Sequence, residues 1–404
     1  MSLVLNMIGI FLLLLVAMMM LIKPQYGTAL AILMLMGNFE ITAFNYEFVA
    51  KLFVLLCAVC SIIKNGIHKR AEWRPLILLM LLCVSSLYTL FAGCNSSYGF
   101  SDFVTSFFNI LTGIILFNVN WDEYNRCKAL KLMAWTPIML IILGIIRYRA
   151  LFYEGRIVTA GLFSHVPFWC GMGYMAAITL SKVYGKNKYT TLALVDLAII
   201  LFTASRGGAI FAAILLFPYI VDASKNMTRR FFARVLLLLP IALYYASEAI
   251  NNLLERTFSG GELNTTNRFE AWTTLLELSE NHRIIGMGIG SLKTITGNYI
   301  ISQGFTAAHN EYVRFIYETG VMGLCIFLAI MFIVFKAYFK NNIFMDRKYA
   351  IAPVIAFFIY SITDNTVSAA QFWMPFMLVI SLQMDVFGDL KAIRQNKNWI
   401  KERG

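Results

Sequence analysis

The chain is poor in charge. Asp, Glu, Lys and Arg make up 14% of its 404 residues, against 59% hydrophobic residues and a mean hydropathy of +0.69. Soluble domains carry about 25% charged and about 45–50% apolar residues, so a soluble body is excluded and the bilayer is the expected solvent. A cleaved secretory leader is not expected: Met1 to Met7 has no basic residue, and no small-x-small site follows Leu21. Cysteine offers no disulfide framework. Most of Cys57, Cys60, Cys83, Cys94, Cys127, Cys170 and Cys325 fall inside apolar runs, where Cys packs as a small hydrophobe. The Cys57/Cys60 pair is read the same way. Internal repeats of fixed period and low-complexity segments are also lacking.

What the chain has is apolar runs long enough to cross a bilayer, which takes about 20 residues per helix. The expected spans are Leu3–Ile22, Gly27–Ala43, Phe48–Ile63, Pro75–Ala92, Phe103–Val119, Leu132–Ile146, Gly161–Leu180, Thr191–Thr203, Ala209–Val221, Phe232–Ala246, Tyr312–Phe335, Ala350–Ile362 and Val367–Phe387. The expected fold is therefore all-α, a polytopic membrane bundle of twelve or thirteen helices; residues 1–43 cross once or twice. Three regions follow: helices in 1–246, one large outer loop with short helices in 247–311, and helices plus a basic tail in 312–404.

The net charge of +12 gains meaning from its placement. Every second loop is rich in Lys: Lys64 to Arg74, Arg126 to Lys131, Lys182 to Lys188, Lys225 to Arg234, Lys336 to Lys348, and the tail. Such loops stay cytoplasmic, so nucleic acid is not needed as a partner. The remaining loops face out, and residues 247–311 form the longest of them. Connections are usually about 4–6 residues, so a loop this long has a function. Within it, Thr266–Glu280 reads as a short helix capped by Thr266 or Asn267, with Phe269, Trp272, Leu275 and Leu276 on one apolar face at the membrane surface.

The outward side carries arginines where bases are disfavoured: Arg147, Arg149, Arg156, Arg206, Arg256, Arg268, Arg283 and Arg314. Arginine grips phosphate through a planar fork and keeps its charge, so an anionic ligand is expected there. Salt bridging to Glu154, Glu248, Glu255, Glu262 or Glu270 is the competing explanation for any one of them. Ser205-Arg206-Gly207-Gly208 sits where two spans meet, with a helix N-terminus following. Gly286-Met287-Gly288-Ile289-Gly290 lacks the strand and helix of a nucleotide fingerprint and reads as a turn. His309 stands where the loop returns to the membrane, and a histidine side chain can take and return a proton. Asp196 is the one acid clearly inside a span; it marks a proton path or a packing hydrogen bond.

These residues resemble the bacterial O-antigen polymerase and O-antigen ligase superfamily, the Wzy-like proteins. The resemblance rests on His309-Asn310 followed by Gly320 and Gly323, on Ser205-Arg206-Gly207, and on Asn267-Arg268-Phe269-Glu270-Ala271-Trp272 with the glycine turn after it. It implies a glycosyltransferase of the bacterial inner membrane, with its site facing the periplasm, its C-terminus cytoplasmic, and no metal or other cofactor. The donor would be an undecaprenyl-diphosphate-linked glycan. The acceptor would be a second glycan or a lipid A–core, in contact with membrane lipid, and a chain-length regulator would be a further partner. By that likeness His309 is the base and Arg206, Arg268 and Arg156 hold the diphosphate, with Gly207, Asn310, Glu311, Tyr312 and Arg314 in support. One departure is visible. Relatives often carry an Asn-Pro-Asn-like turn soon after the position of Arg156, where this chain has Ser164-His165-Val166-Pro167.

Polymerisation of repeat units into O-antigen, capsule or exopolysaccharide is the expected role, with ligation to lipid A–core as the alternative. The shared motifs hold the donor chemistry and do not separate the two. A transporter or flippase is the reading from a different class; it would favour inverted repeats and several intramembrane charges, which the chain lacks.

Overall fold

The computed structural model describes residues 2–37, 45–66, 72–92, 99–153, 156–161, 163–203, 205–225, 258–259, 262–263, 268–295, 307–344 and 346–384. The fold is all-helical. In chain order the helices are α1 (Ser2–Ile22), α2 (Pro24–Gly37), α3 (Tyr46–Asn65), α4 (Arg74–Phe91), α5 (Phe100–Phe117), α6 (Glu123–Tyr148), α7 (Val166–Lys182), α8 (Lys188–Leu201), α9 (Arg206–Lys225), α10 (Arg268–Leu278), α11 (Leu292–Ile295), α12 (Glu311–Asn341), α13 (Lys348–Tyr360) and α14 (Ala370–Leu382). Two two-residue hairpins, Phe152–Tyr153 with Arg156–Ile157 and Phe258–Ser259 with Glu262–Leu263, are the only strands among the described residues.

Each expected span overlaps a helix, except 232–246, which lies outside the described residues, as do the ends of two others, 38–43 and 385–387. Among the described residues, five helices are long and apolar enough to cross a membrane on those criteria alone: α3, α4, α5, α6 and α12. Several others are shorter and differ in what surrounds them. A helix apolar on every side must be buried, and α14 and α2 are buried almost throughout, as is α7. The peripheral helices instead turn large apolar side chains outward, among them Phe11, Leu21, Ile63, Phe91 and Phe332. In water such a surface would aggregate; against lipid tails it is at equilibrium.

Local sequence sets the helix starts. Asn45 accepts from the Phe48 amide at 3.1 Å, Asp122 from Asn125 at 2.9 Å, and Asn310 from Tyr312 and Val313 at 3.0 and 3.1 Å. Each satisfies amides that a helix N-terminus leaves unpaired. At the centre, α7 packs on α6, α8, α9 and α14, while α9 packs on α13 and α14 on α5. Close packing is visible at Gly113, where a Cβ would lie 1.9 Å from the Trp373 indole nitrogen. Asp196 of α8 is fully buried against Gly173 of α7, and neither carboxylate oxygen has a hydrogen-bond partner.

Candidate active site

α12 begins as a nine-residue arm and then breaks. Gly320, at φ +65°, interrupts the helix between Glu311–Thr319 and the continuing segment. The loop docks into this break. The amides of Met287 and Gly288 donate to the carbonyls of Tyr317 and Glu318, and those of Val321 and Met322 donate to the carbonyls of Arg283 and Ile284. A Cβ on Gly286 would lie 2.4 Å from the backbone of Glu318 and Thr319, and one on Gly320 2.2 Å from the Ile284 carbonyl oxygen. The glycine segment is thus a turn, as expected, and its glycines admit a neighbouring backbone.

The arm is stiffened from inside. Glu311, Arg314 and Glu318 are all buried, and the guanidinium bridges both carboxylates. The spacings of three and four residues put them on one helical face. Glu311 Oε2 accepts from the Val367 amide at 3.1 Å, and Glu318 Oε1 from the Leu292 amide at 3.3 Å. The triad therefore joins the turn after α13 at one end to the loop at the other. Arg314, counted among the outward arginines in sequence, is part of this scaffold, and so is Glu311.

At the near end of the arm, separate segments meet on the turn Ser361–Thr366. His309 sits in the left-handed region, φ +47°, an uncommon place for a side chain but one His tolerates better than most. Its Nδ1 lies 3.5 Å from Asp364 Oδ1, long for a hydrogen bond but within ion-pair reach. Arg268, the first residue of α10, donates from Nη1 to the Thr363 carbonyl at 3.0 Å, and its Nε is buried with no partner. Arg206 is the first residue of α9. Beside it, a Cβ on Gly207 would lie 2.4 Å from Thr363 Oγ1, so only glycine lets α9 approach the turn this closely. Burial pulls the Arg268 guanidinium below its ordinary pKa; the positive charge of Arg206 pulls the same way and Asp364 opposes both. Two guanidiniums close enough to repel form a pole that an anion would neutralise.

The other candidate residues are each held by neighbours of their own. Arg156 lies on the second strand of the first hairpin, and the next amide, Ile157, donates to the Phe202 carbonyl at 3.3 Å, which ties that strand to the loop leading to Arg206. Tyr312 donates its hydroxyl to the Phe358 carbonyl at 2.9 Å, clamping the arm to α13. Arg147 donates to the Ala160 carbonyl and Arg283 pairs with Glu280, while Arg256 lies outside the described residues. The helix expected over Thr266–Glu280 is present as α10, but its face differs. Ala271 and Leu275 are buried against Leu292, Ala308 and Tyr317, whereas Phe269 and Leu276 stay exposed. The seam belongs with Arg268 at spacings of three and seven, and Trp272 is anchored by donating to the Ala308 carbonyl at 2.8 Å. Asp364 and Glu318 were not anticipated as part of this arrangement. The only sequence signal for Asp364 was an Asp-Asn pair in a turn between two apolar helices.

Residues 191–328 match the O-antigen ligase family, Wzy_C. The match takes in Arg206, Arg268, His309, the buried triad and Gly320, and leaves Arg156 and Asp364 outside it. No curated protein matches the chain.

Proposed function

We propose, from the premise that this membrane protein carries the O-antigen ligase (Wzy_C) family domain over residues 191–328, that it polymerises undecaprenyl-diphosphate-linked oligosaccharides at the periplasmic face. Family membership implies glycan transfer from lipid-linked substrates. The observation that carries the mechanism is the meeting of Arg206, Arg268 and His309 around Thr363 and Asp364, brought from three separate stretches of chain.

In the proposed step, Arg206 and Arg268 hold the donor diphosphate, with Arg156 beside them. The acceptor hydroxyl oxygen attacks the anomeric carbon of the donor, the carbon–oxygen bond to the diphosphate breaks, and the lipid diphosphate leaves with the bonding electrons. His309 takes the hydroxyl proton on Nε2, while Asp364 faces Nδ1 and stabilises the imidazolium that forms. Negative charge grows on the leaving diphosphate as the bond breaks. Guanidiniums fixed beforehand stabilise that charge without reorganising, and a base within reach of the hydroxyl adds roughly 10²–10⁴ in rate. A single displacement inverts the anomeric configuration.

The test is reconstitution of the purified protein in bilayers with a lipid-diphosphate oligosaccharide. Longer lipid-linked glycans of inverted linkage are expected. Transfer only to added lipid A–core would replace polymerase by ligase, and glycan moved across the bilayer but chemically unchanged would replace both by a flippase.

A further inference from the structure

The loop that docks at Gly320 carries an apolar corner. The Gly286 amide donates to the His282 carbonyl at 2.7 Å, closing a turn with Ile284 at its middle. The Ile284 carbonyl accepts from the Met322 amide at 3.1 Å, and the Arg283 carbonyl from the Val321 amide at 2.8 Å. Backbone bonds therefore hold the corner, yet the Ile284 side chain is 71% exposed. Most of it touches nothing within the protein. Removing an isoleucine of this size from water is favourable, so a fixed turn that displays one marks a surface with a partner.

The place of the corner says what covers it. Val321 and Met322, to which it is bonded, open the apolar part of α12, which has no charged residue from Val321 to Phe335. Val321, Cys325, Leu328 and Phe332 recur every three or four residues and are all exposed, so they form one stripe along that helix. On a membrane-spanning helix such a stripe faces lipid tails. Ile284 adjoins the end of the stripe at the Gly320 break and lengthens it by one residue supplied from the loop. The surface on the other side of the corner is different. The exposed side of α10 mixes Phe269, Leu276 and Leu278 with Glu270, Thr273 and Glu277, and the exposed Glu280–Arg283 pair comes directly before Ile284. Drawing those carboxylates among acyl chains would be costly. The boundary between water and hydrocarbon therefore runs between Arg283 and Ile284.

We propose that Ile284 is a membrane anchor: the corner inserts this side chain among the phospholipid acyl chains of the leaflet on the α10 side, with Arg283 left at the headgroups. The bilayer then helps to hold the loop, and with it Arg268 at the start of α10, against the arm. The anchor stands whether or not the glycan-transfer reading does, because it depends only on α12 crossing the membrane.

The test uses full-length protein in nanodiscs, with native reactive thiols removed. A nitroxide spin label is attached in turn to Ile284→Cys, Val321→Cys and Glu277→Cys. Its collisions with oxygen, which concentrates in hydrocarbon, are compared with its collisions with a water-soluble nickel chelate. The oxygen-to-nickel ratio at position 284 should match that at 321 and exceed that at 277. A ratio at 284 as low as that at 277 puts the corner in water and overturns the anchor. Poor access of both reagents to 284 means that protein covers the corner, and overturns it as well. If Ile284→Cys does not fold, the wild-type protein is irradiated in nanodiscs containing a phospholipid with a diazirine in its acyl chain. Adducts on Ile284 beside those on Val321 and Met322 are then expected. Adducts on α12 with none on residues 283–285 overturn the anchor.

Discussion

At the residue scale, the proposed chemistry separates charge from geometry. Arg206→Lys keeps the positive charge but loses the fork, so glycan extension should fall at least tenfold while protein level in the membrane stays normal. Near-normal extension would show that a point charge suffices. His309→Gln keeps hydrogen bonding but cannot take a proton. Donor binding should persist while the transfer rate drops roughly 10²–10⁴-fold; an active Gln variant would remove His309 from the reaction. Asp364→Asn should cost roughly ten- to a hundredfold in kcat because it weakens support for the imidazolium, while donor affinity should not fall, since losing that carboxylate leaves the pole at Arg268 more positive. Glu311 can be set aside as a substitute base: its oxygens are occupied by Arg314 and the Val367 amide, and it is fully buried. Arg206, Arg268 and His309 were legible in the sequence because their types are costly or unusual where they stand. The partnership of His309 with Asp364 was not, because the two lie far apart in sequence and only the packing of α12 against α13 brings them together. Arg314 shows the opposite error. Its spacing to Glu311 and Glu318 was visible, but an arginine at a loop margin reads as ligand-facing until burial shows what it holds.

At the element scale, the arm Glu311–Thr319 is the part that positions the site, and it depends on the Gly320 break and the buried triad. Gly320→Ala asks an L-residue to adopt φ +65° within 2.2 Å of a carbonyl oxygen. The conformation, φ +65° with ψ −173°, is one that essentially only glycine adopts and costs an L-residue about 1–3 kcal/mol, and the contact adds to it, so the thermal midpoint in detergent should fall by several degrees and transfer should fall with it. An unchanged midpoint would mean that the loop does not dock as described. Arg314→Met would leave two buried carboxylates unpaired, which typically costs about 3–5 kcal/mol. The combined Glu311→Gln, Arg314→Met, Glu318→Gln variant should be less destabilised than Arg314→Met alone, as measured by thermal unfolding. Hydropathy located the helices because a bilayer demands long apolar runs. Of the face expected for α10, Leu275 is buried while Phe269 and Leu276 stay exposed, because the buried side is set by Ala271 and Leu275 docking on the arm rather than by the largest apolar residues.

At the scale of the whole molecule, the alternation of Lys-rich loops requires the two ends of α9 to lie on opposite sides of the membrane. With native reactive thiols removed, Phe269→Cys in α10 should label with a membrane-impermeant thiol reagent in intact cells, and Lys225→Cys at the far end of α9 should not. The reverse pattern would move the site to the cytoplasm and end the periplasmic proposal. The break at Gly320 also fixes a depth. An unbroken α12 of 31 residues would be far longer than the hydrocarbon layer is thick. Counted from Val321 to Asn341, the helix is roughly 31 Å long, close to the roughly 30 Å of that layer, with Lys336 and Lys340 in its last turns long enough to reach back to the cytoplasmic headgroups. The arm and its ion triad then stand above the lipid tails, at the height of the phospholipid headgroups. In the proposed reaction, a diphosphate anchored by a polyprenyl chain would reach that same height without its tail leaving the bilayer, so His309 would meet the donor at the lipid–water boundary.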